Sequence, residues 1–90
     1  MDRYKKYTKD FWAENLENTK YYNQDLNNTN FSDCNLKFGN FSNCDLSCVY
    51  FDSSCNFSNA DFNKAKVNIT MRQKLGFGKI QNFDKIVWSV

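Results

Sequence analysis

A period of five governs this chain. Large apolar residues fall at Phe11, Leu16, Tyr21, Leu26, Phe31, Leu36, Phe41, Leu46 and Phe51. After a one-residue slip they resume at Phe57, Phe62 and Val67. Ten of the fourteen Phe and Leu residues occupy these twelve positions. Neither a helical spacing near 3.6 nor the alternation of a strand generates such a lattice. The flanking columns follow it. The residue before the centre is Asn or Asp in nine of twelve cases, and small residues two before the centre fill the later repeats: Thr29, Cys34, Gly39, Cys44, Val49, Cys55, Ala60 and Ala65. So many regularly spaced apolar side chains need a common interior, and a small residue two positions earlier shares that interior without overfilling it. Asn and Asp bond their own backbone and tolerate tight turns, which suits a chain that corners every five residues. Four corners close a square coil that stacks on the next at strand spacing.

The stretches Cys34-Asn35-Leu36-Lys37-Phe38, Cys44-Asp45-Leu46-Ser47-Cys48 and Ala60-Asp61-Phe62-Asn63-Lys64 carry the pattern most clearly. They resemble the A-(D/N)-L-x-x motif of the pentapeptide-repeat family. The resemblance implies an all-β fold: a right-handed quadrilateral β-helix with four pentapeptides per coil and between two and three coils here. Residues 1–8 read as a basic lead, 9–68 as the β-helix and 69–90 as a C-terminal cap. Within the β-helix, 9–23 form a degenerate first coil, because Lys9, Glu14, Thr19 and Gln24 stand in the small-residue column. Lys9 and Glu14 are too costly to bury unpaired. That coil is therefore expected to splay or to give way to a capping element such as a short helix over 10–20. The slip at 52–54 reads as a bulge at a corner. The lattice ends at Val67. The tail that follows is apolar enough to cover an open coil end, with a spacing that fits a helix and an Ile86-Val87-Trp88 run that fits a strand. Phe83, Ile86, Trp88 and Val90 are its candidate capping or dimerisation residues.

Composition narrows the function. There is no His, which removes His-based triads, His metal sites and imidazole proton shuttles. No acid–base constellation can be assembled from the outward-facing carboxylates, so the chain reads as non-enzymatic, without cofactor, metal or small-molecule substrate. Gly76-Phe77-Gly78 lacks the third Gly and the Lys-Ser/Thr of a phosphate loop. No apolar run is long enough to span a membrane, and Met1–Lys6 leads into no signal-peptide core, which places the chain in the cytoplasm. Cys34, Cys44 and Cys55 then read as buried thiols used as small apolar residues, with Cys34 and Cys55 one coil apart.

Charge is uneven along the sequence. The overall +2 divides into −5 over 14–61 and +5 over 62–90, with a further +2 in 1–13. On a square coil Asp25 and Asp45 stack on one wall, and Asp10, Asp33 and Asp52 fall on the next. Asp25, Asp33, Asp45 and Asp52 are the candidate partner-binding residues of an acidic ridge. Some pentapeptide-repeat proteins resemble duplex DNA and bind type II topoisomerases in its place. The resemblance thus implies a protein-binding module that inhibits a nucleic-acid-processing enzyme, a topoisomerase or a defence nuclease. Two other readings stand beside it. One is a scaffolding β-helix without a dedicated partner, whose carboxylates only keep its walls wet. The other is direct nucleic-acid binding through the basic ends.

Overall fold

The computed structural model describes residues 8–51, 54–76 and 78–90. Its backbone is a stack of parallel coils. Strand β1 (Lys9–Asp10) pairs with β2 (Thr29–Asn30), and β3 (Asp45–Leu46) pairs with β4 (Lys66–Asn68), which pairs with β5 (Val87–Ser89). Single parallel bridges join the other sides, as in Asn15↔Asn35↔Asn56 and Lys20↔Asn40↔Asp61↔Gln81. The register advances by twenty residues per coil, and by twenty-one where it crosses the slip and again between β4 and β5. Four walls result, each named here by a central residue: Phe31, Leu36, Phe41 and Leu46. Residues 9–68 complete three coils. A β-helix-type fold is therefore the architecture of this chain.

Two turn devices shape the corners. All nine Asn and Asp residues before a centre accept a hydrogen bond from the backbone N–H two residues on, at 3.0–3.2 Å. Three residues after the position that precedes each centre, the backbone takes a left-handed φ of 58–65° at Ala13, Asn18, Asn23, Asn28, Asp33, Phe38, Asn43, Asn59 and Lys64; Asn23 follows Lys20 rather than an Asx, and Cys48, after Asp45, is not left-handed. Asn dominates the second set because its short polar side chain tolerates that conformation best. The second set is legible in the sequence as Asn18, Asn23, Asn28, Asn43 and Asn59 at one phase of the repeat.

Through the first two coils, aromatic and aliphatic centres alternate from wall to wall, so like faces like; in the third, Phe57 places a ring on the Leu36 wall, edge to face with Phe51 at 4.5 Å. Phe11, Phe31 and Phe51 stack on one wall, with ring centroids 5.6 and 5.7 Å apart. Tyr21, Phe41 and Phe62 stack on the opposite wall at 5.1 Å. The two columns meet edge to face, Phe31 against Phe41 at 6.1 Å. Both geometries are favoured by the ring quadrupole. Leu16, Leu36, Leu26 and Leu46 fill the remaining walls, and all but Leu16 are buried. Space at Gly39 is tight. A Cβ there would lie 3.0 Å from the Phe41 ring and 3.2 Å from the Leu36 carbonyl oxygen.

The structure changes the reading of both ends. No helix forms over 10–20, and the first coil turns like the others. Lys9, Glu14 and Gln24 are exposed there, because among the described residues the coil has a neighbour on one side only. Nor does the coil stop at Val67. The tail runs through a 3-10 turn (Ile69–Met71), helix α1 (Arg72–Leu75) and a second 3-10 turn (Phe83–Lys85) before β5. The run at Val87 and Trp88 is thus a strand, whereas the spacing of Ile80, Phe83, Val87 and Val90 forms no α-helix: α1 lies upstream of it and only a 3-10 turn falls within it. Gln81 and β5 add a fourth layer to the Phe41 and Leu46 walls. The other two walls end one layer lower. Met71 and Leu75 are buried, and the Lys74 ammonium donates to the Phe51 carbonyl at 2.9 Å. No helix among the described residues is long and apolar enough to cross a membrane.

Candidate protein-interaction surface

The surface column of the Leu46 wall reads Asp25, Asp45, Lys66 and Val87 in sequence of layers, fixed by parallel pairing. Asp25 and Asp45 therefore sit one above the other, about 4.8 Å apart along the backbone. Each is held by its own turn. Asp25 accepts from the Asn27 N–H at 3.0 Å, and Asp45 accepts from the Ser47 N–H at 3.1 Å and the Ser47 hydroxyl at 2.7 Å. The Ser47 hydroxyl holds the Asp45 carboxyl below its ordinary range, helped by the Ser47 N–H, the Asn27 side chain and the Lys66 charge, against a smaller opposing effect of burial. Asp45 is thus an anion at neutral pH with a fixed direction.

The remaining candidates are not gathered with this pair. Asp33 is exposed at a left-handed corner, eight residues of a twenty-residue coil away from Asp25. It occupies the far end of the Phe31 wall. Asp10 is half-buried, and its Oδ1 accepts from Asn30 Nδ2 at 3.0 Å as well as from the Trp12 N–H. Asp52 lies outside the described residues, as do residues 1–7 of the basic lead. The geometry therefore yields a two-carboxylate column bounded by Lys66, with Asp33 apart from it.

A second column is held together by amides. Asn35 Nδ2 donates to Asn15 Oδ1 at 3.1 Å and also to Glu17 Oε1 at 3.1 Å, and Lys37 approaches Glu17 at 3.9 Å. Asn82 Nδ2 repeats the interlayer bond to Asp61 Oδ1 at 2.8 Å. An amide can accept from its own turn and donate to the layer below, which a carboxylate cannot do. Here Asn and Asp are not equivalent, although both satisfy the repeat pattern.

The thiols point inward. Cys34, Cys44 and Cys55 donate to the carbonyl oxygens of Phe11, Tyr21 and Phe31 at 2.8–2.9 Å, and all four cysteines are free. Burial pushes the Cys34 thiol up to about 11, with the stacked Cys55 a lesser contributor. Among the described residues no group of three or more Cys, Asp or Glu could hold a metal ion.

Of the tail candidates, Ile86 is buried, and Phe83 and Trp88 are half-buried against the core, 5.5 Å apart edge to face. Val90 is fully exposed. Three of the four are thus used on the chain's own last coil.

Parallel coils of four short sides, turned by Asx bonds, define a β-helical repeat protein. Residues 15–47 match the family model of the pentapeptide repeats in eight copies. No curated protein and no solved structure matches the chain.

Proposed function

We propose that this chain is a non-catalytic protein-binding module of the cytoplasm that occupies the nucleic-acid site of a processing enzyme, a topoisomerase or a defence nuclease. One observation carries the reading: Asp25 and Asp45 form a rigid, solvent-facing pair of anions at strand spacing, each oriented by its own turn. Negative groups fixed in advance on a stiff wall suit a basic groove through complementarity and fast steering. Asp33, apart from the pair on the neighbouring wall, and Asp52, outside the described residues, are the further candidates of the proposed surface. The footprint is short, since Lys66 reverses the sign one layer above Asp45.

A pull-down from host lysate tests it with three proteins: the wild type, Asp25→Asn/Asp45→Asn and Asp33→Asn/Asp52→Asn. Asn keeps the oxygen that accepts the turn N–H, so the coil is retained. The expected result is loss of one specific nucleic-acid-processing enzyme with the first pair and a smaller loss with the second. Retention of every captured protein by both variants would overturn the reading. Salt-sensitive capture of nucleic acid itself would transfer the function to the basic ends.

A further inference from the structure

The C-terminal end carries a feature unrelated to the acidic wall. Helix α1, the preceding 3-10 turn and the turn at Phe83 enclose an open groove of about 700 Å³, lined by Ile69, Thr70, Arg72, Gln73, Gly76 and Phe83. That is the size at which protein sites accept a ligand or a partner's side chains. The Arg72 guanidinium lies 5.6 Å from the ring centroids of both Phe83 and Trp88. Resting on two rings costs the guanidinium little of its hydrogen-bonding capacity, because the attraction uses its face and leaves its N–H edge. Among the described residues no carboxylate lies within ion-pair distance of Arg72; the one ion pair is Lys37–Glu17. The surrounding segment 62–90 has six basic residues against Asp84 alone.

The chemistry of an occupant follows. A flat, pre-oriented guanidinium takes a carboxylate through two parallel hydrogen bonds. Ile69, which is exposed, and the Phe83 ring offer an apolar floor beside it. The groove is open along the surface, so its occupant is carried in from a larger body. We infer that it docks a protein segment presenting an acidic side chain next to an apolar one, with the carboxylate on Arg72 and the apolar group on Ile69 and Phe83. Charge complementarity selects this occupant over a basic or neutral segment.

The test uses the full chain with Trp12→Phe, which leaves Trp88 as the single indole. Probes are dye-labelled, acetylated and amidated hexapeptides with an Asp or Glu one, two or three residues from a Phe. Anisotropy gives binding, and Trp88 emission localises it. The expected result is saturable binding by at least one peptide that shifts Trp88 emission. It should weaken about tenfold when its acid becomes the amide and about tenfold in Arg72→Gln, with Arg72→Lys between, since Lys keeps charge but not the planar fork. Circular dichroism and Trp88 emission without peptide establish that each variant keeps its fold. Equal binding of acid and amide peptides, equal binding by Arg72→Gln, or no saturable binding by any peptide would overturn the inference. So would binding of acetyl-phenylalanine without any peptide, which would assign the groove to small acids. Self-association abolished by Arg72→Gln would likewise overturn it by assigning the groove to a second copy. Asp25→Asn/Asp45→Asn leaves this binding unchanged, which separates it from the proposed inhibitory wall.

Discussion

The two ends of the coil solve one problem in opposite ways. The first coil keeps the turn chemistry and only half of the core: Tyr21 and Leu26 are buried, Phe11 and Leu16 only in part. Asp10, Asn15 and Asp25 make their Asx bonds, yet Lys9, Glu14 and Gln24 stand where later coils place small buried residues. The tail gives up the turn chemistry and keeps the core. It has no Asx residue at the phase of Asp61 or Asp45, where Gln81 and Val87 stand, yet both pair in register, and Leu75, Ile80 and Ile86 are buried. Corner formation and core filling are therefore separable. A coil forms when either the turns or the layer beneath it dictates the path.

The largest test of that separation concerns the core. Phe41→Ala should cost about 3–5 kcal/mol, because a fully buried ring is removed between Tyr21 and Phe62 and neither neighbour can close the gap. Phe11→Ala, half-buried in the end coil, should cost about 1–2 kcal/mol. Urea unfolding measures both. Equal costs would mean that the first coil is as much a part of the core as the middle.

A smaller contrast probes the turns. The Asn30 side chain is 1% exposed, accepts from the Ser32 N–H and donates to Asp10. Asn30→Ala should lose about 1–3 kcal/mol through the buried groups it leaves unmatched. Asn15→Ala, exposed in the first coil, should lose about 0.5 kcal/mol, since water replaces its partners. Thermal melts that rank the two in reverse would break the distinction between a buried and a wetted turn.

A further effect is alkaline. The Cys34 thiol is raised by burial from its ordinary value near 9 to about 11. A raised value favours the neutral form in the folded state, so its stability contribution is complete below pH 9 and fades as pH rises toward 11. Cys34→Ala should flatten that part of the stability–pH curve. In the native protein near neutral pH, exposed Cys48 should react with a thiol reagent ahead of Cys34 and Cys44. Rapid modification of all four thiols without unfolding would contradict the inward placement.

The lattice of five made the coil and its core legible, because every coil carries its own complete set of signals. Leu26, Phe31, Leu36, Phe41, Leu46, Phe51, Phe57 and Phe62 are all buried where their phase places them. The tail was legible only in part: the Ile86-Val87-Trp88 run fits a strand, but its place does not follow from local pattern. Val87–Ser89 is a strand because Lys66–Asn68 lies beside it, twenty-one residues earlier, and no local pattern encodes that pairing. The acidic ridge was half legible. Stacking of Asp25 on Asp45 follows from the period, but the position of Asp33 along its wall depends on which residue takes the left-handed corner. Arg72 gave no signal at all, since its rings lie eleven and sixteen residues downstream.

The direction of the interlayer hydrogen bonds has a consequence for motion. Phe31 and Leu36 N–H groups donate forward to Tyr50 and Asn56, while the N–H groups of Asn35 and Asn40 donate backward to Glu14 and Thr19. A middle coil is thus tied on both sides, and to open it two neighbours must be released together. Loosening should begin at the termini and travel inward one coil at a time, so amide hydrogen exchange would slow in steps from Phe11 toward Phe41. The molecule would come apart like a wound spring paid out from its end, with its outermost turn in rapid exchange while the centre stays closed.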